Sequence, residues 1–310
     1  EALERIAEPL LAGIYAADAR QMSLAGTFPQ FREIEQKYGS LTRGMLARRR
    51  AMPSGPPRYT MFMTLKEGMG ELVETLVRRL DPATLMSGSG VSGIQARATT
   101  YELLLADGRH FNADAVILAA PAFVTAELLK QLDPLLSDLL ARIPYVSTAT
   151  VSLAYKRSGF LHSLNGFGFV VPRSERRRIL ACTWTSTKFP HRAASDHVLI
   201  RCFVGGAGRE ELALQDEASL VKMVCEDLKA IMGISADPVL AKVYRWEKAN
   251  PQYNIGHLER VAEIEKMAAG HPGLFVTGAA YRGVGVADCI HQGIQTAEKA
   301  LAHLKVTKQG

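Results

Sequence analysis

Two glycines that flank a valine near the C-terminus, Gly283 and Gly285, are the residues best suited to contact a ligand through the backbone. They follow the apolar run Leu274–Val276, which predicts a strand, and precede a helix predicted to start near Ala287 and Asp288. Glycine lets backbone N–H groups approach a ligand, and a helix N-terminus favours an anionic group. The same residues equally fit a plain strand–loop–helix connection in which Asp288 caps the helix. From the residues alone, both interpretations stay open.

A second glycine-rich stretch, Gly88–Gly93, has the G-x-G-x-x-G spacing of a dinucleotide-binding loop. Such a loop must run directly into a helix whose N-terminus faces the pyrophosphate. Here the chain continues into Thr99–Leu105, which is typical of a strand, and Asp107-Gly108 predicts a turn. We therefore interpret Gly88–Gly93 as a turn between short strands.

The composition is that of a folded protein, because 47% of the 310 residues are apolar and the length suits two domains. We predict no membrane span and, from the acidic residues in Glu1–Leu11, no signal peptide. The four cysteines and eight histidines lack metal-ligand spacing, so no metal site is predicted and the cysteines are interpreted as reduced thiols.

The net charge of +6 includes two arginine clusters, Arg43–Arg50 and Arg173–Arg178. They fit either two solvated loops or a surface that attracts an anionic substrate or an anionic membrane. A nucleic-acid partner is not predicted, since no nucleic-acid-binding fold or aromatic–basic interleaving accompanies the charge.

Hydrophobic periodicity predicts an α/β chain with a mostly antiparallel sheet, after a proline-rich loop at Met52–Tyr59. Strands are predicted at Tyr59–Leu65, Thr100–Leu105, Ala113–Ala120, Thr148–Tyr155, Gly168–Val171, Ile179–Trp184, Val198–Val204 and Val239–Trp246. A helix that opens at Gly68–Gly70 is predicted to face inward through Met69, Leu72, Val73, Leu76 and Leu80. The last helix is predicted to face inward through Ile290, Ile294, Ala297, Leu301 and Leu304.

Several segments resemble one enzyme family. Val276–Ile290 closely resembles the C-terminal FAD motif of the protoporphyrinogen and coproporphyrinogen III oxidases, which belong to the flavin-containing amine oxidase superfamily. Arg245–His257 is similar to the family's Trp…Pro-Gln-Tyr…Gly-His segment. Shorter similarities lie at Glu8–Ala16, Phe28-Pro29, Tyr38–Leu41, Thr64–Met69 and Ala181–Trp184. The chain looks most similar to the coproporphyrinogen III oxidases of Gram-positive-type bacteria.

The resemblance implies FAD as cofactor and an α/β (α+β mixed) fold. In that fold an incomplete FAD-binding Rossmann-like domain is interleaved with a substrate domain of antiparallel sheet plus helices. Residues 1–58 and 123–238 would form the substrate domain, and residues 59–122 and 239–310 the FAD-binding part. The family's N-terminal strand, glycine loop and helix have no counterpart here, so we expect this chain alone to bind FAD weakly or not at all.

The resemblance also implies roles for particular residues, and it implies no catalytic acid or base. The cofactor-binding positions are Val91 at the adenine end of FAD, Trp246 beside the flavin, and the triplet Val284, Gly285 and Val286. Phe167 and Phe203 match apolar residues that flank the macrocycle. For these aromatic residues, packing in the core is the alternative interpretation.

The implied activity is the oxygen-dependent oxidation of coproporphyrinogen III to coproporphyrin III, or of protoporphyrinogen IX to protoporphyrin IX, in haem biosynthesis. FAD would mediate the reaction, and dioxygen would be reduced to hydrogen peroxide. Cationic groups must anchor the propionates, and Arg43–Arg50 is the predicted anchor. We expect a cytoplasmic location and leave open peripheral membrane contact and contact with other haem-pathway enzymes. The alternatives are another oxidoreductase of the superfamily, acting on amines or carotenoid precursors, and a non-catalytic porphyrin-binding fragment.

Overall fold

The computed structural model describes residues 3–51 and 62–307, without the side chains of residues 3 and 11–14. The predicted loop Met52–Tyr59 lies outside the described residues, and residues 62–65 of the predicted strand Tyr59–Leu65 are not a strand. The helices are α1 (Glu8–Tyr15), α2 (Leu24–Thr27), α3 (Pro29–Tyr38), α4 (Leu41–Ala51), α5 (Gly70–Arg79), α6 (Ala122–Leu129), α7 (Pro134–Ala141), α8 (Thr185–Lys188), α9 (Glu210–Ala213), α10 (Glu217–Met232), α11 (His257–Ala269) and α12 (Val286–Thr307). The strands are β1 (Val91–Ala96), β2 (Tyr101–Leu105), β3 (His110–Ala113), β4 (Val116–Leu118), β5 (Tyr145–Lys156), β6 (Gly168–Val170), β7 (Ile179–Thr183), β8 (His197–Gly205), β9 (Leu240–Pro251) and β10 (Leu274–Val276). Within these ranges, no helix is both long and apolar enough to cross a bilayer.

The chain forms two compact units built from alternating segments. Residues 1–23 and 144–255 form one unit, which we call the sheet unit. Residues 24–143 and 256–310 form the other, which we call the helix-rich unit. The assignment of residues 1–58, 59–122, 123–238 and 239–310 to substrate and FAD-binding parts stays a prediction.

The sheet unit is built on a five-stranded antiparallel sheet with the strand order β6-β7-β8-β5-β9. Side chains alternate between the two faces of a strand, and one face of this sheet carries mostly apolar, buried side chains. Helix α10 begins at the cap Asp216, ends at the left-handed Gly233 and packs its apolar stripe on that face. Residues with no exposed surface there include Ala149, Val151, Leu153, Ile179, Ile200, Cys202, Val204, Leu220, Val224 and Leu228.

Two polar features fix strand β7 within this core. Cys182 on β7 lies directly opposite Cys202 on β8, and both are buried free thiols. The hydrogen bond with Cys182, together with burial, raises the pKa of Cys202. The buried carboxylate of Asp227 on α10 accepts hydrogen bonds from the backbone N–H groups of Arg178 and Ile179 and pairs with the Arg178 guanidinium.

The helix-rich unit contains a three-stranded antiparallel sheet, β1-β2-β3, and the parallel pair β10-β4. The prediction of one continuous strand over Ala113–Ala120 was wrong. The chain leaves β3 after Ala113 and resumes as β4 at Val116, because β3 pairs with β2 whereas β4 pairs with β10. Apolar character alone could not show that the run serves two different sheets.

The predicted inner faces of two helices in this unit were also wrong. Ile290, Ile294 and Leu301 of α12 are 48%, 54% and 57% exposed, and Thr296 and Ala300 are buried instead. Helix α5 has no buried residue, although its apolar positions have helical spacing. Periodicity predicts that a helix has an apolar stripe, but the side that packs depends on the neighbouring strands.

Candidate functional site

The face of the five-stranded sheet that α10 does not cover, which we call the open face, carries aromatic and cationic side chains. Strand register places Phe203 and Tyr244 on either side of Thr150, and Arg201 and Lys242 on either side of Ser152. Because cross-strand partners point to the same side, these side chains form two parallel rows. We call them the aromatic row and the cationic row.

A groove at the β7 and β8 end of the open face brings together the two aromatic residues predicted to flank the macrocycle. Phe167 and Phe203 line one cavity of about 430 Å³, with Leu10, Ala181, Thr183 and Lys188. This volume lies within the usual range for small-molecule sites, about 300–1,000 Å³. Phe167 is 45% exposed, and Phe203 lies on the face opposite the buried core. The contact of either residue with a macrocycle stays a prediction. Burial lowers the pKa of Lys188.

Trp246 lies on the open face, opposite Thr148, and half of its surface is exposed. Immediately after it the register shifts, so that Asn250 opposes Val146. This β-bulge places Lys248 at φ 42°, and the Lys248 N–H donates to Ser147 Oγ at 3.0 Å. Bulges redirect side chains and end regular pairing, so the bulge marks the end of the open face beyond Trp246.

The glycine loop, residues 277–285, connects β10 to α12 in the helix-rich unit. Gly283 has φ 136°, and a Cβ on it would lie 2.6 Å from Asp288 Cβ, so this position requires glycine. Helix α12 starts at Val286, earlier than predicted, and the Cys289 N–H donates to the carbonyl of Gly285. The alternative in which Asp288 caps the helix was therefore wrong. Its side chain lies in the first turn and packs against the loop backbone.

His257 supports the glycine loop from behind. Its Nε2–H donates to the carbonyl oxygen of Tyr281 at 2.9 Å, and both side chains are buried. Burial lowers the pKa of His257, which keeps the imidazole neutral at physiological pH. A neutral ring with its proton on Nε2 is the form that can donate to this carbonyl.

Gln292 on α12 also holds the glycine loop. Its Oε1 accepts from the Arg282 N–H at 3.2 Å, and its Nε2 donates to the carbonyl of Gly283 at 3.3 Å. The Arg282 guanidinium is tied in turn to Glu265 by a bidentate ion pair. The backbone between Arg282 and Val286 is thereby fixed, while Gly285 and Val286 stay exposed.

The remaining predicted positions lie on other elements of the chain. Val91 is the first residue of β1, and no helix follows Gly93, so the stretch does not have the strand-loop-helix context of a dinucleotide-binding loop, as predicted. The interpretation of Gly88–Gly93 as a turn between short strands was only partly right, because residues 91–93 belong to β1 and no strand directly precedes Gly88. The first arginine cluster lies on helix α4, not in a loop. In the second cluster, Arg173 pairs with Glu8 and Arg178 with Asp227, so two of its arginines stabilise the sheet unit. The grouping of Val91, Trp246 and the Val284–Val286 triplet around one cofactor stays a prediction.

Comparison with known proteins identifies the family. Residues 1–301 match the model of the flavin containing amine oxidoreductases. This chain belongs to that family. The family predicted from the motifs is thus confirmed, and so are the mixed helix-and-sheet fold class and a flavin cofactor, for which FAD was predicted.

Three relatives in the flavin-containing family illustrate the similarity. The chain is 38% identical over 311 residues to coproporphyrinogen III oxidase of Bacillus subtilis (strain 168), covering 98% of this chain and 65% of that protein. It is 33% identical to coproporphyrinogen III oxidase of Staphylococcus aureus (strain NCTC 8325 / PS 47), covering 98% and 66%. The crystal structure of a protein from Exiguobacterium sp. 255-15, which is named as a protoporphyrinogen oxidase, superposes with a TM-score of 0.83 at 32% identity. The superposition covers 98% of this chain and 64% of that chain. The chain therefore spans just under two thirds of the length of these relatives.

The glycine loop fits one end of a flavin. Val284 and Val286 flank Gly285, and Val286 is 53% exposed, so the loop offers an apolar edge with unshielded backbone beside it. A flat aromatic ring can approach such a backbone closely. The carboxylate of Asp288 would repel a diphosphate at the same place. The residues thus suit the ring end of FAD better than its diphosphate.

Sequence reasoning missed several residues of both regions. Tyr244, Arg201 and Lys242 share the open face with Phe203, and their alternation along predicted strands was the available signal. Which strands pair, and in what register, could not be read from single-strand patterns. His257 stood inside a segment that resembles the family, but its support of the glycine loop depends on a contact with Tyr281 across 24 positions.

Proposed function

We propose that this chain supplies the tetrapyrrole-binding surface and part of the flavin site of an oxygen-dependent porphyrinogen oxidase. The reaction converts coproporphyrinogen III and dioxygen into coproporphyrin III and hydrogen peroxide. The observation that carries the proposal is the groove of Phe167 and Phe203 on the open face, in a chain 38% identical to a coproporphyrinogen III oxidase.

The residues of the open face suit the chemistry of this substrate. A porphyrinogen becomes an aromatic porphyrin when it loses hydrogen at its meso carbons and pyrrole nitrogens, and the gained aromaticity drives the reaction. The protein therefore needs mainly to hold a large, flat, apolar ring and keep water away from it. Phe203, Tyr244 and Trp246 provide such a surface, and no side chain is assigned as a general base.

In the helix-rich unit, the Val284–Val286 triplet would hold the flavin ring, and in the sheet unit the family resemblance assigns Trp246 to the flavin. When bound, FAD accepts the electrons of the substrate and passes them to dioxygen. The contribution of the helix-rich unit is positional: His257 and Gln292 fix the backbone of the glycine loop, so that its apolar edge keeps one orientation.

Coproporphyrinogen III is favoured over protoporphyrinogen IX by the Bacillus subtilis relative, which is 38% identical to this chain, whereas the Exiguobacterium protein named as a protoporphyrinogen oxidase is 32% identical. The other two coproporphyrinogen III oxidases compared are 33% and 30% identical. The mitochondrial protoporphyrinogen oxidase of Nicotiana tabacum is 26% identical.

The test is to incubate the protein that carries this sequence with FAD and each porphyrinogen in air. Porphyrin fluorescence and hydrogen peroxide are followed together, and samples without protein correct for spontaneous oxidation. We expect faster oxidation of coproporphyrinogen III, with peroxide formed in proportion to porphyrin. Removal of the Phe203 ring by Phe203→Ala is expected to lower kcat/KM by about 2- to 10-fold, the usual worth of one aromatic contact.

The matched control is Phe111→Ala, which removes a half-exposed phenylalanine from β3 in the other unit. It should leave both rates unchanged. The proposal is contradicted if neither porphyrinogen is oxidised above the rate without protein, or if Phe111→Ala lowers the rate as much as Phe203→Ala does.

A further inference from the structure

The cationic row presents two positive side chains to solvent on either side of one hydroxyl. Arg201 on β8 and Lys242 on β9 both pair with Ser152 on the strand between them. Neighbouring strands are about 4.8 Å apart, so the backbones of the two cationic residues lie roughly 10 Å apart. The Arg201 Nε–H donates to Ser152 Oγ at 3.1 Å, which directs the guanidinium over the middle strand.

The positive charge of the cationic row is not neutralised by the part of the chain that the structure describes. There, no carboxylate forms an ion pair with Arg201 or Lys242, whereas Arg173 and Arg178 of the same unit are paired with Glu8 and Asp227. Arg201 and Lys242 lie on strands separated by β5, and at that distance their positive charges repel each other only weakly. An anion bound between them would supply the missing partner.

The cationic row borders the aromatic row along its whole width. Arg201 and Phe203 are two positions apart on β8, and Lys242 and Tyr244 are two positions apart on β9. The Lys242 ammonium lies 5.9 Å from the centre of the Tyr244 ring, which shows that the two rows are in contact. A flat apolar ring with carboxylates on its rim matches this surface in both shape and charge.

A third cationic residue, Lys188, lines the groove next to the cationic row. Lys188 lines the cavity together with Phe203 and Thr183, and Thr183 is the strand partner of Arg201. Positive charge therefore borders the aromatic surface both at the groove and along the cationic row.

We infer that Arg201 and Lys242, with Ser152 between them, bind propionate carboxylates of a tetrapyrrole whose ring lies on the aromatic row. This inference rests on the proposed function and deepens it. It assigns the carboxylate anchor to the open face instead of the arginines of α4. The two residues would be substrate-binding residues, and they would also set the position of the ring on the aromatic row.

The experiment measures binding of coproporphyrin III and of its tetramethyl ester to the 310-residue chain, by porphyrin fluorescence in the same dilute detergent. The ester keeps the ring but has no negative charge. The wild-type chain should bind the acid more tightly than the ester, and salt should weaken only the acid. The double variant Arg201→Gln/Lys242→Gln should bind the acid about tenfold more weakly and the ester unchanged, as expected for two exposed ion pairs.

Two variants serve as controls. Lys229→Gln removes an exposed lysine from α10, which packs on the other face of the sheet, and should change neither affinity. Arg48→Gln/Arg49→Gln on α4 tests the anchor predicted from the sequence and should also leave the acid affinity unchanged.

The outcomes separate this inference from the proposed function. If the wild-type chain binds acid and ester equally well and without salt dependence, the carboxylate anchor is wrong while porphyrin binding stands. A loss of acid binding in the α4 variant, but not in the Arg201/Lys242 variant, would also overturn the anchor. If the wild-type chain binds neither porphyrin, the proposed function fails and the inference fails with it.

Discussion

The two candidate regions present a ligand with different parts of the chain. The open face offers side chains on regular strands, and the backbone beneath them is held by the buried core on the other side of the sheet. The glycine loop offers backbone and two valines, and side chains behind it hold that backbone in place. This difference predicts which mutations should lower stability in each region. On the sheet, residues proposed to bind a ligand and residues that stabilise the core alternate along one strand, whereas at the loop the stabilising residues lie on other elements.

The largest expected effect tests this alternation on strand β8. Ile200 has no exposed surface, so Ile200→Ala should lower the free energy of unfolding by about 2–5 kcal/mol through lost apolar contacts and a cavity. Its neighbour Arg201 is exposed on the opposite face, so Arg201→Ala should cost at most about 1 kcal/mol, the worth of its bond to Ser152. Urea unfolding followed by circular dichroism measures both. Equal losses of unfolding free energy would show that the two faces of the sheet do not differ in their contribution to stability.

The next effect concerns the support of the glycine loop and depends on pH. Burial lowers the pKa of His257 from its ordinary value of 6.5, so below that pH the unfolded chain takes up a proton that the folded chain resists. The contribution of the neutral His257 to the free energy of unfolding is therefore fully present above pH 6.5. It falls as the pH is lowered, by up to about 1.4 kcal/mol per pH unit.

The variant His257→Gln should remove this part of the pH dependence. Unfolding free energies from urea titrations at pH 7.5, 6.5 and 5.5 are compared between the wild type and the variant. His291→Gln, at an exposed position of α12, is the control and should keep the wild-type slope. An unchanged slope in His257→Gln would show that this histidine does not titrate as its burial implies.

The smallest effect tests the second support of the glycine loop. Gln292→Ala removes the acceptor of the Arg282 N–H and the donor to Gly283, and should cost about 1–2 kcal/mol. Hydrogen exchange at the Arg282 amide should become faster, since local opening then needs less energy. Gln295→Ala, at an exposed position on the same helix, should change neither quantity. Unchanged exchange in Gln292→Ala would mean that the loop is held by other contacts.

The sequence allowed the strands of the sheet unit to be located well. Predicted strands Thr148–Tyr155 and Val198–Val204 lie inside β5 and β8, because alternation and β-branched residues report a half-buried strand directly. The strand predicted at Val239–Trp246 stopped short of Pro251, since the bulge at Lys248 interrupts the alternation. Phe203 was identified through the resemblance, and the strand register then added Tyr244 and Arg201.

The helix-rich unit was harder to predict because its apolar residues do not share one core. The run Ala113–Ala120 divides between two sheets, and the apolar stripe of α12 at Ile290 and Ile294 is exposed. Packing partners far along the chain decide both outcomes. The same reason applies to His257, whose role follows from its contact with Tyr281 and not from its own surroundings in the sequence.

The opposed thiols of Cys182 and Cys202 have a consequence for the durability of the protein. Hydrogen peroxide attacks thiolates, and on the proposed function peroxide forms beside a groove to which Cys182 contributes. Burial and the raised pKa of Cys202 keep that thiol protonated, and burial limits access of the oxidant to both sulfurs. If the chain acts as proposed, the core beneath the open face would be protected from the peroxide that the reaction forms, and repeated turnover would not inactivate the protein through these two residues.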